Sequence, residues 1–538
     1  MPAPYAAAPD PALLAASAPS GRSGLVLSVL LTFAAALALY ASLAAPSVLF
    51  GDSAELQTVA LRGGIPHATG YPTFVLLGRL FARLPFPDPG FRITFMSALC
   101  AAATVALLVL LLAQLGLSRG AALAGALVLG ASFTFWDDAL RAEVYSLAGF
   151  LGFLALWRTL VALRGPNLPD ALLAGMLSGL ALTGHLMLAP AVASLWAVLT
   201  WRVMSSQPRP ILALAALIVA FALGLAPYLY LVWADTRDYP FNYLRLVELI
   251  HMPDGPSADF DTPWKRVAWL VSSRGLYPPV PFPFSFRGTA SGLARCLCVL
   301  FLFELGPLAP PFVLWGFLRL LRANAGAARV LAAVAAAALL FSGAIAAGTH
   351  MGIFLLPCTL ACAIFLAAGI EPLIARRASL GALLLAAVVV APHAIRVYAN
   401  DHPIGRWKLR VEQEDPSLKP TRVPSLRGFH TPRLYGEQAL ASIPLHALVL
   451  AEWPEFANLT YFRVVEGDRL DLTLQPMSPK RLRERMLRWQ ESHGVERGPF
   501  VFLSRPPALA SAGAPLDSVT LAVGRRIWIR RTPVSGSP

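Results

Sequence analysis

Two acidic residues, Asp52 and Glu55, follow directly on the first long apolar stretch of the chain. Because they are three positions apart, they share one face if this segment is helical. A carboxylate at a membrane boundary loses hydration, which raises its pKa and suits it to accept a proton from a hydroxyl group. The pair therefore predicts a general base. The alternative is a solvated pair that caps the neighbouring helix.

A turn with a histidine and a tyrosine comes shortly after these acids, in the segment His67-Ala-Thr-Gly-Tyr-Pro72. Gly70 and Pro72 set the turn. His67 could donate a hydrogen bond to a phosphate, and Tyr71 could stack on a substrate or bind it through its hydroxyl group. A rigid corner with buried aromatic packing explains the same residues equally well.

Further acidic residues open the fourth apolar stretch, in the segment 136–145. Glu143 lies closest to the apolar run and Arg141 is the nearest cation, so these two are candidates for a site. We interpret Asp137 and Asp138 as charges that complement the dipole at the N-terminus of a helix.

A lone histidine, His185, lies midway in the apolar stretch 172–201. An ionisable group at such a position predicts a functional role, although a histidine satisfied within a helix turn is a fair alternative. Arg237 follows the aromatic stretch 228–233, and it could meet a lipid phosphate or simply anchor the chain at the membrane interface.

The composition requires a membrane to surround these residues. Hydrophobic residues make up 57% of the 538-residue chain and charged residues only 14%, against roughly 45–50% and 25% in soluble domains. The last 142 residues carry 34 of the 74 charged side chains, which predicts a membrane body and a soluble tail. The net charge of +14 fits arginine in cytoplasmic loops and contact with anionic lipid, and no nucleic-acid-binding motif accompanies it.

Apolar stretches predict about eleven membrane spans. They lie at 25–45, 92–114, 120–135, 144–163, 171–184, 186–201, 210–233, 294–320, 328–347, 351–370 and 379–396. The predicted domains are a disordered cytoplasmic leader (1–24), a transmembrane domain (25–396) and a C-terminal domain (397–538). Two long loops, 47–91 and 234–290, interrupt the transmembrane domain on the same side.

Arginine placement predicts the orientation. If the N-terminus is cytoplasmic, every cytoplasmic connection carries at least one arginine, as the positive-inside rule expects. These arginines are Arg22, Arg119, Arg164, Arg202, Arg209, Arg319, Arg322, Arg329, Arg376 and Arg377. The two long loops and the C-terminal domain are then extracytoplasmic, and in the periplasm if the host is a Gram-negative bacterium.

Two more elements can be predicted outside the spans. Residues 73–84 form an amphipathic pattern too short to span, which is typical of a helix lying along the membrane interface. In the tail, strand patterns at 446–450, 499–503 and 519–529 alternate with a helix ending near 493, which predicts a small α/β domain.

Several of these segments together resemble one family, the protein O-mannosyltransferase-like polytopic membrane proteins. That family has mostly uncharacterised bacterial members and an animal transmembrane O-mannosyltransferase. The resemblance is carried in order and spacing by residues 50–55, 64–72, 141–146, 179–185 and 224–230, and residues 446–452 and 461–471 are similar to the family's downstream segment. One departure is the segment 240–243, Pro-Phe-Asn-Tyr, where the family often has Trp-Gly-Asp-Pro.

The resemblance implies a GT-C fold and a hexosyltransferase. Such an enzyme takes a sugar, mannose in the named relative, from a polyprenyl-phosphate donor to a protein or glycan hydroxyl on the extracytoplasmic face. The usual base, an acid in the first outer loop, maps onto Asp52. The other implied positions in this sequence are Glu55, His67, Tyr71, Glu143, Tyr145 and His185. Cations that could offset the phosphate charge are Arg62, His67, Arg141 and Arg237.

Two other functions remain open at this point: a transporter or flippase of lipid-linked sugars, and a non-catalytic envelope assembly protein. No internal repeat of the kind common in transporters is evident. No sequence motif requires a cofactor or a metal. Asp52 could nevertheless bind a divalent cation together with Glu55 or Glu143.

Overall fold

The structure is a computed structural model. It describes residues 19–165, 167–252, 258, 260–272, 286–345, 351–402, 404, 424–477, 482–494, 499–503 and 517–530. Most of the predicted leader, residues 1–18, lies outside the described residues.

Helices make up the body of the protein. The first eleven are α1 (Pro19–Leu43), α2 (Gly51–Arg62), α3 (Pro72–Phe81), α4 (Pro89–Gln114), α5 (Arg119–Ala131), α6 (Phe133–Ala139), α7 (Val144–Ala162), α8 (Leu168–Gly184), α9 (Ala189–Ser206), α10 (Pro210–Gly224) and α11 (Tyr228–Asp235). The next eight are α12 (Tyr243–His251), α13 (Pro263–Val271), α14 (Phe286–Val299), α15 (Ala309–Ala323), α16 (Ala325–Ile345), α17 (Met351–Phe354), α18 (Leu356–Arg376) and α19 (Ala378–Asp401). A short 3-10 turn, Leu186–Leu188, precedes α9, and a π-helical turn, Leu300–Glu304, follows α14.

Within the described residues, 7 helices are long and apolar enough to cross a membrane, and up to 10 spans result if each bent helix pair counts as one. The apolar helix α8, with 17 residues, is shorter than these. The predicted count of about eleven spans is reached only if α8 crosses as well. The length and composition of these helices make the chain a multi-pass membrane protein.

Three of the predicted spans are bent rather than continuous. The pair α5 and α6 bends by 69°, α10 and α11 by 44°, and α14 with its π turn meets α15 at 101°. The span predicted over 294–320 is thus divided into two helices that meet at a sharp angle. Gly306 has a φ of +83° there and Pro307 follows it, and both features end a helix.

The first long loop contains two short helices, α2 and α3. The amphipathic segment predicted at 73–84 forms α3, which Pro72 opens as its first residue. The second long loop contributes α12 and α13 and pairs with the first through a parallel bridge between Ile65 and Asn242. The two loops thus form one unit at the same end of the helical bundle.

The C-terminal domain is a small sheet with helices, and the predicted α/β character is confirmed. Its elements are α20 (Thr431–Ser442), β1 (Leu448–Ala451), α21 (Trp453–Tyr461), β2 (Thr473–Pro476), α22 (Leu482–His493), β3 (Phe500–Leu503), β4 (Asp517–Thr520) and β5 (Arg526–Arg530). The strand order is β2-β1-β3-β5-β4; β1 is parallel to β2 and β3, and the β3–β5 and β4–β5 pairs are antiparallel.

The C-terminal domain shares a hydrophobic core with α2. Phe50, Ala54 and Val59 are buried in one cluster with Tyr435 and Phe456 of the domain. The Asn458 side chain is buried and donates to the backbone oxygen of Leu49 at 2.9 Å. Burial of this apolar surface fixes the domain directly over the start of α2.

Candidate active site

Helix α2 presents the two predicted acids three positions apart. Gly51 opens the helix with a φ of +60°, and Asp52 lies in its first turn, where a negative charge is favourable at a helix N-terminus. The side chain of Asp52 is 49% exposed, whereas that of Glu55 is fully buried. One carboxylate is therefore open to a substrate and the other is held inside the protein.

His67 lies between these two acids. Glu55 accepts a hydrogen bond from the His67 backbone N–H at 2.7 Å, and its second oxygen contacts Nδ1 of the ring. The other ring nitrogen, Nε2, lies 3.7 Å from Oδ2 of Asp52 and 3.2 Å from the Tyr71 hydroxyl group. Glu55 thus fixes the orientation of the imidazole towards Asp52.

The charges of this cluster shift two pKa values. Burial raises the pKa of Glu55, and the nearby His67 opposes that shift. Burial also works against a charge on His67, but the negative charges of Glu55 and Asp52 outweigh it and raise the pKa of His67 to about 10. At neutral pH the imidazole therefore carries a positive charge beside the Asp52 carboxylate.

Glu143 joins the cluster through Ser53. The Ser53 hydroxyl group donates to Oε1 of Glu143 at 2.7 Å. Burial, followed by the negative charge of Asp52, raises the pKa of Glu143 to about 7. The structure therefore brings an acid from the start of α7 next to the helix that holds Asp52 and Glu55.

Three of the predicted aromatic positions stack behind His67. The rings of Tyr71 and His185 are stacked with centroids 5.2 Å apart, and Tyr145 lies on His185 at 5.2 Å. Nδ1 of His185 accepts from the Met187 N–H at 2.9 Å, which requires that nitrogen to be unprotonated. His185 is thus a satisfied histidine at a helix turn that also borders the site.

The two predicted arginines, Arg141 and Arg237, differ in their distance from the acidic cluster. Arg141 donates to Asp137 at 3.0 Å and is mostly buried near Glu143. Arg237 is exposed, with its guanidinium 5.2 Å from the centre of the Trp233 ring. Among the described residues, no contact joins Arg237 to the acidic cluster.

The interpretation of Asp137 and Asp138 as N-terminal helix charges is wrong. Both lie in the last turn of α6, which ends at Ala139, and a negative charge is unfavourable at that end of a helix dipole. The bend between α5 and α6 begins a separate short helix at Phe133, so both acids lie at its C-terminal end. Pairing with Arg141 compensates Asp137 instead.

Sequence reasoning missed two residues of this site. The indole Nε1 of Trp453 donates to Oδ1 of Asp52 at 2.6 Å, across 401 positions of sequence. The ring of Tyr243 lies 6.4 Å from that of His67 and 6.1 Å from that of Trp453. Trp453 follows β1 at the carboxyl end of a parallel strand, a usual place for functional residues, and that signal could have drawn attention to it.

The acidic cluster is also the candidate place for a metal ion. Ligand atoms of Asp52, Glu55 and His67 lie within 4.8 Å of one another. However, both oxygens of Glu55 already accept hydrogen bonds from His67. A divalent cation that used Glu55 as a direct ligand would have to break that pair, whereas Nε2 of His67 and the carboxylate of Asp52 face each other with Glu55 behind the histidine.

The site lies in a segment with known relatives. Residues 52–207 match the family model for the Protein O-mannosyl-transferase TMEM260 N-terminal domain. The resemblance seen in the sequence is therefore confirmed. Asp52, Glu55, His67, Glu143 and His185 all lie within that matched stretch.

Two individual relatives show the same likeness. Protein O-mannosyl-transferase TMEM260 of Mus musculus is 28% identical over 222 residues, which are 40% of this chain and 32% of the mouse protein. The tmem260 protein of Dictyostelium discoideum is 26% identical over 147 residues, 26% of this chain and 18% of that protein. The matches thus span a third or less of either relative.

A solved structure shares the whole fold. The crystal structure of ArnT from Cupriavidus metallidurans, bound to undecaprenyl phosphate, superposes with a TM-score of 0.51. It covers 96% of this chain and 100% of its own at 11% sequence identity. The predicted GT-C-like fold, with helical membrane body and C-terminal domain, is confirmed by this match.

Proposed function

We propose that the protein is a membrane glycosyltransferase that moves mannose from a polyprenyl-phosphate carrier to a protein hydroxyl group. The observation that carries this proposal is the half-exposed carboxylate of Asp52. It is held by Trp453 and faced by a charged His67, within the segment that matches the O-mannosyl-transferase model. A half-exposed carboxylate with fixed neighbours is suited to meet an incoming hydroxyl group.

The proposed reaction is a single displacement. Asp52 takes the proton of the acceptor hydroxyl group as its oxygen bonds to the anomeric carbon of the sugar. The bond between that carbon and the phosphate oxygen breaks, and its electron pair leaves with the carrier phosphate. Because attack and departure occur on opposite faces of the carbon, the anomeric configuration inverts.

The neighbours of Asp52 support this reaction electrostatically. The positive charge of His67 offsets negative charge on the leaving phosphate, and its fixed position avoids reorganisation during the step. Arg141 at the start of α7 provides a second cation on this side of the bundle. Tyr145 and His185 are partly exposed and stack beside the buried Tyr71, so they offer aromatic surface against which a sugar ring can pack.

Two lines support a lipid-linked donor. ArnT, whose fold the chain shares, was crystallised with undecaprenyl phosphate. In the present chain, the short apolar helix α3 begins one residue after Tyr71, so the site borders an element with exposed apolar residues, Leu76 and Leu80. A carrier whose tail stays in the membrane could present its phosphate at this level.

The proposed orientation places the site outside the cytoplasm. If successive spans cross the membrane in alternating directions, Arg119, Arg164 and Arg209 lie on the side of the membrane opposite to α2. The positive-inside rule assigns that arginine-bearing side to the cytoplasm. The loop that holds Asp52, together with the C-terminal domain packed on it, is then extracytoplasmic.

Transfer in proteoliposomes tests the proposal. Purified protein would be supplied with labelled polyprenyl-phosphate mannose or, as a control, nucleotide-linked mannose, together with acceptor peptides rich in serine and threonine. We expect labelled peptide only from the lipid-linked donor, with inverted anomeric configuration by NMR. Movement of the carrier across the bilayer without labelled peptide would instead identify a transporter.

A further inference from the structure

The C-terminal domain reaches into the site at one point, the indole of Trp453. Trp453 is the first residue of α21 and is half-buried. Its Nε1 donates to Oδ1 of Asp52 at 2.6 Å, while Oδ2 of the same carboxylate faces Nε2 of His67 at 3.7 Å. The two oxygens of Asp52 therefore face donors from opposite parts of the chain.

Several contacts fix Trp453 in this place. Its ring lies edge-on to those of Tyr243 at 6.1 Å and His67 at 6.3 Å. Behind it, Phe456 of the same helix is buried in a core shared with Phe50 and Ala54, on either side of Asp52. This core fixes the position of α21, and so of the Trp453 backbone, relative to Asp52.

Polar contacts across the same interface add to this constraint. Arg525 pairs with Glu455 of α21 and lies 5.2 Å above the ring of Phe50. Arg62, at the end of α2, donates to the backbone oxygen of Val465. Both ends of α2 are thus attached to the C-terminal domain.

We propose that Trp453 is a positioning residue for Asp52, and that the C-terminal domain completes the active site by holding this carboxylate in one rotamer. The inference rests on the proposed function. Without the indole N–H, the Asp52 carboxyl group can turn about its last side-chain bond, whose energy profile is broad and two-fold. The reacting oxygen then spends less time in line with an acceptor hydroxyl group.

A tryptophan pair provides a matched test. Trp453→Phe removes the N–H and keeps an aromatic ring. Trp489→Phe makes the same change in the same domain, at an indole whose buried Nε1 has no hydrogen-bond partner among the described residues. Trp453→His restores a ring N–H at the first position.

The expected result is a loss of kcat without a rise in KM. Trp453→Phe should lower kcat roughly 10- to 100-fold and leave KM for donor and acceptor unchanged. Trp453→His should recover part of the lost kcat. Trp489→Phe should have the kcat and KM of the wild type. A rise in KM for either substrate in both Trp453 variants would overturn the inference, because Trp453 would then contact substrate. Unchanged kcat in both would also overturn it.

Failure of the proposed function gives a different pattern. In that case the wild type and Trp489→Phe transfer no sugar from any lipid-linked donor, and both proposals are refuted. If the wild type transfers sugar and Asp52→Asn does not, the proposed function stands and the Trp453 variants decide the inference alone. Thermal unfolding of each variant shows whether the protein is folded in the assay.

Discussion

Among the buried carboxylates with cationic partners in the described residues, Glu304 and Glu55 differ in what lies beside them. Glu304 accepts from the backbone N–H of Thr134 at 3.0 Å and from its hydroxyl group at 2.6 Å, and Arg396 lies 3.5 Å away. Glu55 is equally enclosed by His67. Only Glu55, however, has a half-exposed carboxylate, Asp52, on the other side of its partner.

The difference separates a structural ion pair from a candidate site. In the Glu304 cluster the partners Thr134 and Arg396 belong to the packed helices α6 and α19, and the guanidinium of Arg396 lies over the Phe133 ring, 3.4 Å from its centre. Such a pair fixes helices against one another and is costly to break. In the Glu55 cluster the imidazole of His67 is oriented by Glu55 and faces the carboxylate of Asp52, which a substrate can reach. Burial of a carboxylate alone therefore does not mark a candidate site. The half-exposed carboxylate of Asp52 beside the buried pair does.

Glu55→Gln should have the largest effect among the supporting residues. The change removes the charge that holds His67 protonated and oriented, so transfer should fall by about 10²-fold, in the range seen for residues that orient an active group. The measurement is kcat in proteoliposomes. Glu437→Gln, at an exposed acid of α20, is the control, and equal activity of the two variants would break the distinction between the clusters.

Glu304→Gln should change stability and spare activity. It removes the charge of Glu304 from a buried pair with Arg396, and the loss of one partner of such a pair costs about 3–5 kcal/mol. We expect a clearly lower temperature of thermal unfolding, with kcat per folded protein as in the wild type. A variant that is stable but inactive would place Glu304 in the active site.

Glu143 should make stability depend on pH. Burial raises the pKa of Glu143 from 4.5 to about 7 in the folded protein. Its contribution to stability is therefore fully present below pH 4.5 and is lost as pH rises through about 7. The unfolding temperature of the wild type should fall relative to Glu143→Gln over this interval, by the order of a few degrees. A constant difference between the two proteins from about pH 4 to about pH 8 would argue against a raised pKa.

Chelation should have the smallest effect. Because both oxygens of Glu55 are occupied by His67, we expect EDTA to change transfer by no more than about twofold. Loss of activity that Mn²⁺ or Mg²⁺ restores would contradict this prediction and would show that the reaction needs a divalent cation.

The local part of the site could be predicted from the sequence. Asp52, Glu55, His67 and Tyr71 lie within one loop, so a helix followed by a turn is enough to bring them together. Glu143 and His185 were predicted only as candidates at the same end of the bundle. Their contacts depend on how α7 and α8 pack, which hydropathy does not encode.

The parts that could not be predicted depend on backbone direction and on distant segments. An apolar stretch of sequence shows composition but not backbone direction. The two helices that meet at 101° after Glu304 were therefore predicted as one span. The same reason explains the position of Asp137 at the end of a helix. Trp453 reaches Asp52 only because a separate domain folds onto α2, and no local pattern specifies that docking.

The central claim is that the exposed carboxylate of Asp52, and not burial of charge in general, carries the reaction. The most direct test is the transfer rate of Asp52→Asn against Asp261→Asn, a change at an exposed acid of the second long loop. We predict a loss of about 10³-fold or more for Asp52→Asn, with unchanged thermal unfolding, and wild-type activity for Asp261→Asn. An Asp52→Asn protein that transfers sugar at the wild-type rate would contradict the account.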